Sequence, residues 1–188
     1  MATTKTVYWT ATSLDGYIAD PQDSLDWLFV QDIDREGPMN YDAFIAGVGA
    51  LVMGATTYEW LRARIVAGTE TWPYKIPTVV LTHRDLPAVD GADVRFAAGD
   101  VATVHAELVE AAGGRDVWVV GGGDLAGQFA DAGLLDELVV SVAPVTLGAG
   151  RPLFPRRYAL RLEELARNGA FASARYTVLG PRTTDWSA

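Results

Sequence analysis

The sequence predicts an α/β domain: a mixed, mostly parallel central sheet flanked by helices in three layers, closed by a C-terminal β-hairpin. Three observations point there. Short apolar runs rich in β-branched residues alternate with segments whose apolar residues recur at helical spacing. Glycine turns join several of those runs directly to the helical segment that follows. The last two alternating segments, joined around Asn168 and Gly169, read as an antiparallel pair, which makes the sheet mixed.

Taken in order, residues 5–12 alternate and hold Val7, Tyr8, Trp9 and Thr10, the pattern of a first strand. Residues 13–26 carry the turn dipeptides Asp15-Gly16 and Asp20-Pro21 and read as a long, mobile loop. Tyr41, Phe44, Ile45 and Val48 share one helical stripe, which Gly49 ends. The run 50–53 is a buried strand closed by Gly54, and Tyr58, Leu61 and Ile65 resume helical spacing at once. Residues 78–82 and 94–97 read as strands. Val101, Val104, Leu108 and Ala111 mark a helix ended by Gly113-Gly114. Residues 116–120 form a strand, Gly121-Gly122-Gly123 a turn, Leu125, Phe129 and Ala132 a helix face, and 138–143 another strand. After a loop over 144–154, residues 158–166 and 171–179 complete the hairpin.

Nothing in this order divides the chain, so a single domain is expected over residues 1–188. Its 49% hydrophobic and 21% charged residues are those of a folded globular chain. A domain of this length buries roughly 70% of its unfolded surface and needs no disulfide to hold a core. With no Cys, disulfides and thiolate metal sites are excluded. His83 and His105 sit in unrelated places, which argues against a metal site. Apolar stretches such as 43–55 are broken by glycines and fall short of the ~20 residues of a membrane span. Residues 1–7 show no apolar leader segment, so a cytoplasmic location is expected. The net charge of −9 and pI near 4.6 argue against general nucleic-acid binding, which needs a clustered basic surface. A site for an anionic ligand has to be built locally, from helix N-termini and a few arginines.

Two strand-to-helix junctions meet that requirement. In Met53-Gly54-Ala55-Thr56-Thr57-Tyr58-Glu59 and in Val120-Gly121-Gly122-Gly123-Asp124-Leu125, glycine lets backbone N–H groups approach a ligand at the positive end of a helix. Glycines in such places also serve as plain tight turns. Read alone, Gly121, Gly123 and Ala126 fit a relaxed dinucleotide fingerprint, yet no acidic residue closes the next strand, so a Rossmann site is the weaker assignment. Leu81-Thr82-His83-Arg84 ends a strand with a hydroxyl, an imidazole and a guanidinium, a set able to hold a phosphate monoester, or else a solvated loop.

These runs resemble the cofactor motifs of the dihydrofolate-reductase-like superfamily. Ser13-Leu14-Asp15-Gly16-Tyr17-Ile18-Ala19, and the stretch Pro144-Val145, Leu147-Gly148, Gly150 and Pro152-Leu153-Phe154, are more similar to its branch shared with the reductase domain of bacterial riboflavin biosynthesis. The likeness runs in order from Lys5 to Phe154. It implies NADPH binding. Ala11 and Ile18 would flank the nicotinamide, and Gly54, Thr56 and Thr57 would meet the pyrophosphate. Thr82, His83 and Arg84 would receive the 2′-phosphate, with Leu81 before them also counted as cofactor-binding. Val120, Gly121, Gly122, Gly123, Asp124 and Leu125 would pack against the nicotinamide ribose and pyrophosphate, with a cis Gly121–Gly122 peptide. A homodimer through the hairpin is implied as well. The chain departs from these relatives at Ile76, where folate reductases carry a substrate-gripping arginine. It departs again at Ala55, where an arginine commonly follows the glycine, and at Val120, where the riboflavin branch often has glutamate.

An NADPH-dependent reductase of a small heterocyclic or carbonyl substrate, pterin-like or riboflavin-precursor-like, is therefore expected. Asp26, beside Trp27, is the candidate proton source, since a carboxyl buried against an indole has a raised pKa. It also reads as a turn residue or helix cap. Trp27 and Tyr41 are candidates for the substrate cleft, though each also reads as core, and Asp15 reads as a turn former. A nucleotide-binding module without turnover and a flavin-using enzyme on the same scaffold are the competing readings.

Overall fold

The computed structural model describes residues 4–182; residues 1–3, where the segment read for a leader begins, and 183–188 lie outside them. The chain opens with β1 (Thr6–Thr12), whose alternation sends Tyr8 to one face of the sheet and Trp9 to the other. The segment expected to be a mobile loop contains structure instead: a short strand β2 (Tyr17–Ala19) and one helical turn, α1 (Asp26–Phe29). The helix α2 (Tyr41–Ala46) ends at Gly47 rather than Gly49. Val48 is drawn out of the helix because it is buried and pairs with Asp116, so β3 (Val48–Gly54) begins earlier than expected. Gly49 is a packing residue, since a Cβ there would overlap the carbonyl oxygen of Ala112.

There follow α3 (Ala55–Val66), β4 (Thr78–Leu81), β5 (Val94–Ala97), α4 (Val101–Ala112), β6 (Asp116–Gly121), α5 (Gly123–Asp131) and β7 (Glu137–Val142). The loop expected over 144–154 holds β8 (Arg151–Pro152), and β9 (Tyr158–Asn168) and β10 (Phe171–Pro181) form the expected hairpin. Eight strands make one sheet in the order β5-β4-β3-β6-β1-β7-β10-β9. The pairs from β5 to β7 are parallel and the two that involve β10 are antiparallel, so the sheet is mixed and mostly parallel.

The three layers follow from the two-residue period of the strands. Ala50, Val52, Val117 and Val119 point to one side and pack on Val104 and Leu108 of α4 and Phe129 of α5. Leu51, Met53, Val80 and Trp118 point to the other and pack on Tyr58 and Leu61 of α3. The helices α2 and α3 cover only part of that second face. The remainder, over β1, β7 and the start of β10, stays open beneath residues 20–40, and this gap positions the site. Among the described residues, no helix is long and apolar enough to cross a membrane.

Candidate functional site

Because β3 and β6 are parallel neighbours with Met53 opposite Gly121, their carboxyl ends bring the two glycine junctions side by side. A Cβ on Gly54 would lie 3.7 Å from the carbonyl oxygen of Gly121, and one on Gly121 would lie 3.6 Å from Oγ1 of Thr57. Gly121 has φ of +149°, which disfavours any side chain, and the Gly121–Gly122 peptide is cis. Each junction opens a helix with glycine at the N-cap and no side chain capping it, Gly54 for α3 and Gly122 for α5. Contrast α2, whose N-cap Asn40 accepts a hydrogen bond from the amide of Ala43. Uncapped N-termini leave N–H donors for an anion, and here two such sets abut.

Both open into one cleft of about 1070 Å³. Its far wall is made by β2, which pairs with β8. The carboxylate of Asp15 holds this wall by accepting hydrogen bonds from Ser13 Oγ at 2.6 Å and from the amides of Leu147 at 3.0 Å and Gly148 at 2.7 Å. Asp23 and Arg151 add a bidentate pair at 2.5 and 2.9 Å. Ile18 is thereby set against the second junction, its Cδ1 3.9 Å from where a Cβ on Gly122 would stand.

Residues 4–170 match the RibD C-terminal domain. The chain belongs to the RibD C-terminal domain family. Among relatives, it is 32% identical over 150 residues to YwjB, an uncharacterized protein of Bacillus subtilis (strain 168), a span of 80% of this chain and 82% of that one. Among solved structures, it is similar to a Shewanella sp. PV-4 protein provisionally assigned to riboflavin biosynthesis. That match has a TM-score of 0.78 and 27% identity, over 93% of this chain and 99% of that one. It shares its fold with dihydrofolate reductase of Enterococcus faecalis in complex with NADP(H), at a TM-score of 0.58 and 17% identity over 93% of this chain and 96% of that one.

In this member of the RibD C-terminal domain family, the cleft gathers most of the residues singled out in the sequence. Ala11, Ile18, Gly54, Thr56, Thr57, Leu81, Thr82 and His83 line it, as do Val120, Gly121, Gly122, Gly123, Asp124 and Leu125. Arg84 does not. Its guanidinium is turned to Glu59 of α3 in a bidentate pair at 3.1 and 2.7 Å, and only its amide joins the strand end, donating to Thr82 Oγ1 at 3.0 Å. The expected open clamp is thus a latched one.

The other candidates fall outside the lining. The expected burial of Asp26 against Trp27 is not found. Asp26 is exposed at the start of α1, its amide donating to Ser24 Oγ at 3.1 Å, because the short turn of helix points it to solvent. Trp27 is half-buried, and its Nε1 has no hydrogen-bond partner among the described residues. Tyr41 remains partly exposed and packs its ring 5.7 Å from that of Trp9 and 6.0 Å from that of Trp118. Burial raises the pKa of its phenol, with the nearby Asp42 adding to the shift.

Sequence reasoning missed the half of the RibD-family cleft that distant segments supply. Trp9 and Trp118 form its aromatic floor, Phe29 and Trp60 its lip, and Asn168, Phe171 and Ser173 reach it from the hairpin. Only Trp9 had a local signal, since it shares a face with Ala11 two residues on. Of the charged groups in the lining, Asp23 pairs with Arg151 and Asp124 with Arg156, while Arg35 makes no ion pair among the described residues. The hydrogen bond from Gln128, helped by Arg156, holds the Asp124 carboxyl below its usual range. Arg151 does the same to Asp23, and Ser13 with the amides of the 147–148 turn to Asp15.

Proposed function

We propose that the chain is a cytoplasmic reductase that binds NADPH and reduces an unsaturated carbon of a small heterocyclic or carbonyl substrate, with pterin-like and riboflavin-precursor-like compounds as the leading candidates. One observation carries the reading: two uncapped helix N-termini abut across Gly54 and Gly121 and open into a single cleft. That cradle suits a pyrophosphate, whose two anionic groups need adjacent sets of N–H donors. Membership of the family and the fold shared with a dihydrofolate reductase that binds NADP(H) support it.

When bound, the nicotinamide supplies the hydride. The chain's own part is binding, orientation and exclusion of water. The amides at the start of α3 and α5 hold the pyrophosphate. Ile18, set against Gly122, and Ala11, also in the lining, would flank the nicotinamide, where water has to be excluded. Thr82 and His83 face the 2′-phosphate, and Arg84 joins them by leaving Glu59. Asp26, exposed and outside the lining, is given no proton-donor role. A homodimer through the β9 edge, where Leu160, Leu162 and Leu165 are exposed, belongs to the same reading, and sedimentation tests it.

Calorimetric titration of the whole chain with NADPH and NADH is the direct test, with saturable binding that favours NADPH as the expected result. No saturation at millimolar cofactor removes the reading. Loss of the near-ultraviolet absorbance of NADPH against a panel of pterins, pyrimidinones and carbonyl compounds then tests turnover, and binding without turnover favours a nucleotide-binding module.

A further inference from the structure

The floor of the cleft carries a feature that cofactor binding leaves unused. In the sheet, Ala11 of β1 is in register with Ser141 of β7, and Ser141 with Ser173 of β10. Adjacent strands lie ~4.8 Å apart, so the two serines continue the row sideways, ~5 and ~10 Å beyond Ala11. All three residues line the cleft. The hydroxyls of Ser141 and Ser173 are 2.9 Å apart, and the residues are 9% and 1% exposed.

Two hydroxyls hold two donors and four acceptor sites. Their mutual bond uses one donor, and among the described residues neither hydroxyl has another partner. Their neighbours on the same face are apolar: Val139 two residues before Ser141, and Phe171 two before Ser173. Burying hydroxyls in such a floor is costly without full hydrogen bonding. The next polar residue along β10, Arg175, is committed to Glu137 at 3.0 Å and Glu164 at 3.5 Å. The floor thus presents donors and acceptors without a free charge.

We infer that Ser141 and Ser173 are the polar anchor of the substrate, a hydroxyl pair that bonds the neutral donor–acceptor edge of a flat ligand laid across β7 and β10. The pair selects against substrates whose edge at this point is apolar. The inference deepens the reductase reading by naming what orients the substrate beside Ala11, and it rests on that reading only for the position of the hydride donor.

The test uses the whole chain as wild type, Ser141→Ala, Ser173→Ala and the double variant, each with and without saturating NADPH. The probes are 2-quinolone, a flat bicycle with adjacent N–H and C=O groups, and naphthalene, with a similar outline and no polar edge. Dissociation constants come from ligand-observed NMR. A net hydrogen bond corresponds to about fivefold in affinity, so each single variant is expected to weaken 2-quinolone by about that factor and the double variant by more than tenfold. Naphthalene affinity, NADPH affinity and the thermal midpoint are expected to stay within twofold or unchanged, which a merely structural pair would not produce. Equal 2-quinolone affinity in wild type and double variant overturns the inference, as does failure of the wild type to bind it. If the double variant does not fold, the single variants decide. A wild type that binds 2-quinolone through the serines yet ignores NADPH sinks the reductase reading and spares the anchor.

Discussion

Gly54 adopts an ordinary extended φ of −80°, and a Cβ there meets nothing closer than 3.7 Å. The position therefore tolerates alanine structurally, while the added methyl stands at the mouth of the α3 cradle. Gly54→Ala is expected to keep the thermal midpoint and to weaken NADPH tenfold or more, measured by calorimetry; unchanged affinity would place the pyrophosphate elsewhere. Arg84 makes a sharper case. Arg84→Ala is expected to cost NADPH ~1.5–3 kcal/mol, the range of hydrogen bonds to charged groups, with NADH nearly unaffected. Glu59→Gln removes the competing carboxylate and is expected to tighten NADPH alone. Equal effects on both cofactors in either variant would end the 2′-phosphate assignment. The glycine junctions were legible locally because a turn into a helix leaves its mark in adjacent residues. The Glu59 latch was not, because it joins residues 25 apart that meet only once α3 packs on β4.

At the scale of elements, the loop over residues 31–40 is tied to the hairpin by the side chain of Asn168 and by the amide of Ala170, which donates to the carbonyl oxygen of Asp32 at 2.9 Å. Asn168 is buried, accepts from the amide of Asp34 at 2.9 Å and donates to the carbonyl oxygen of Pro38 at 2.9 Å. Asn168→Ala strands both partners and is expected to cost ~1–3 kcal/mol in chemical denaturation, with faster amide exchange confined to 31–40. A loss spread evenly over the sheet would show that the tie is not local. The hairpin turn expected around Asn168-Gly169 falls on Gly169-Ala170, with Asn168 the last residue of β9, and the sequence gives no sign of the second role of Asn168. The long helices and central strands were legible because their apolar periods repeat. The segment 13–26 looks like a loop in the sequence because β2 is only three residues long and is specified by its partner β8, more than a hundred residues away.

For the molecule as a whole, the direction of its pKa shifts sets its response to acid. Asp15, Asp23, Asp124 and Glu163 all have folded values below the usual carboxylate range, Asp15 through hydrogen bonds from Ser13 and backbone amides and the other three through hydrogen bonds and neighbouring cations. The unfolded chain thus takes up protons first. The stability these groups supply is complete above the unfolded range near ~4 and is lost as pH falls through the folded values. His105 is lowered by burial from 6.5, so its contribution also declines as pH drops below that value. Denaturation midpoints are expected to fall steadily from neutral pH to pH ~3, and Asp23→Asn to flatten the acid end. A midpoint that rises on acidification would contradict the sign. Asp15 and Asp23 both hold the cleft wall, so cofactor affinity is expected to decline over the same acid limb.

The alternation of strands and helices, the glycine cradles and the family likeness are all legible in the chain before it folds, because each is written in neighbouring residues through period, turn chemistry and order of motifs. The tertiary structure alone decided that the two cradles abut, that Arg84 is latched, that Asp26 faces solvent and that Ser141 meets Ser173. Those facts depend on which strands pair and in what register, and register is settled by packing between segments far apart in the chain.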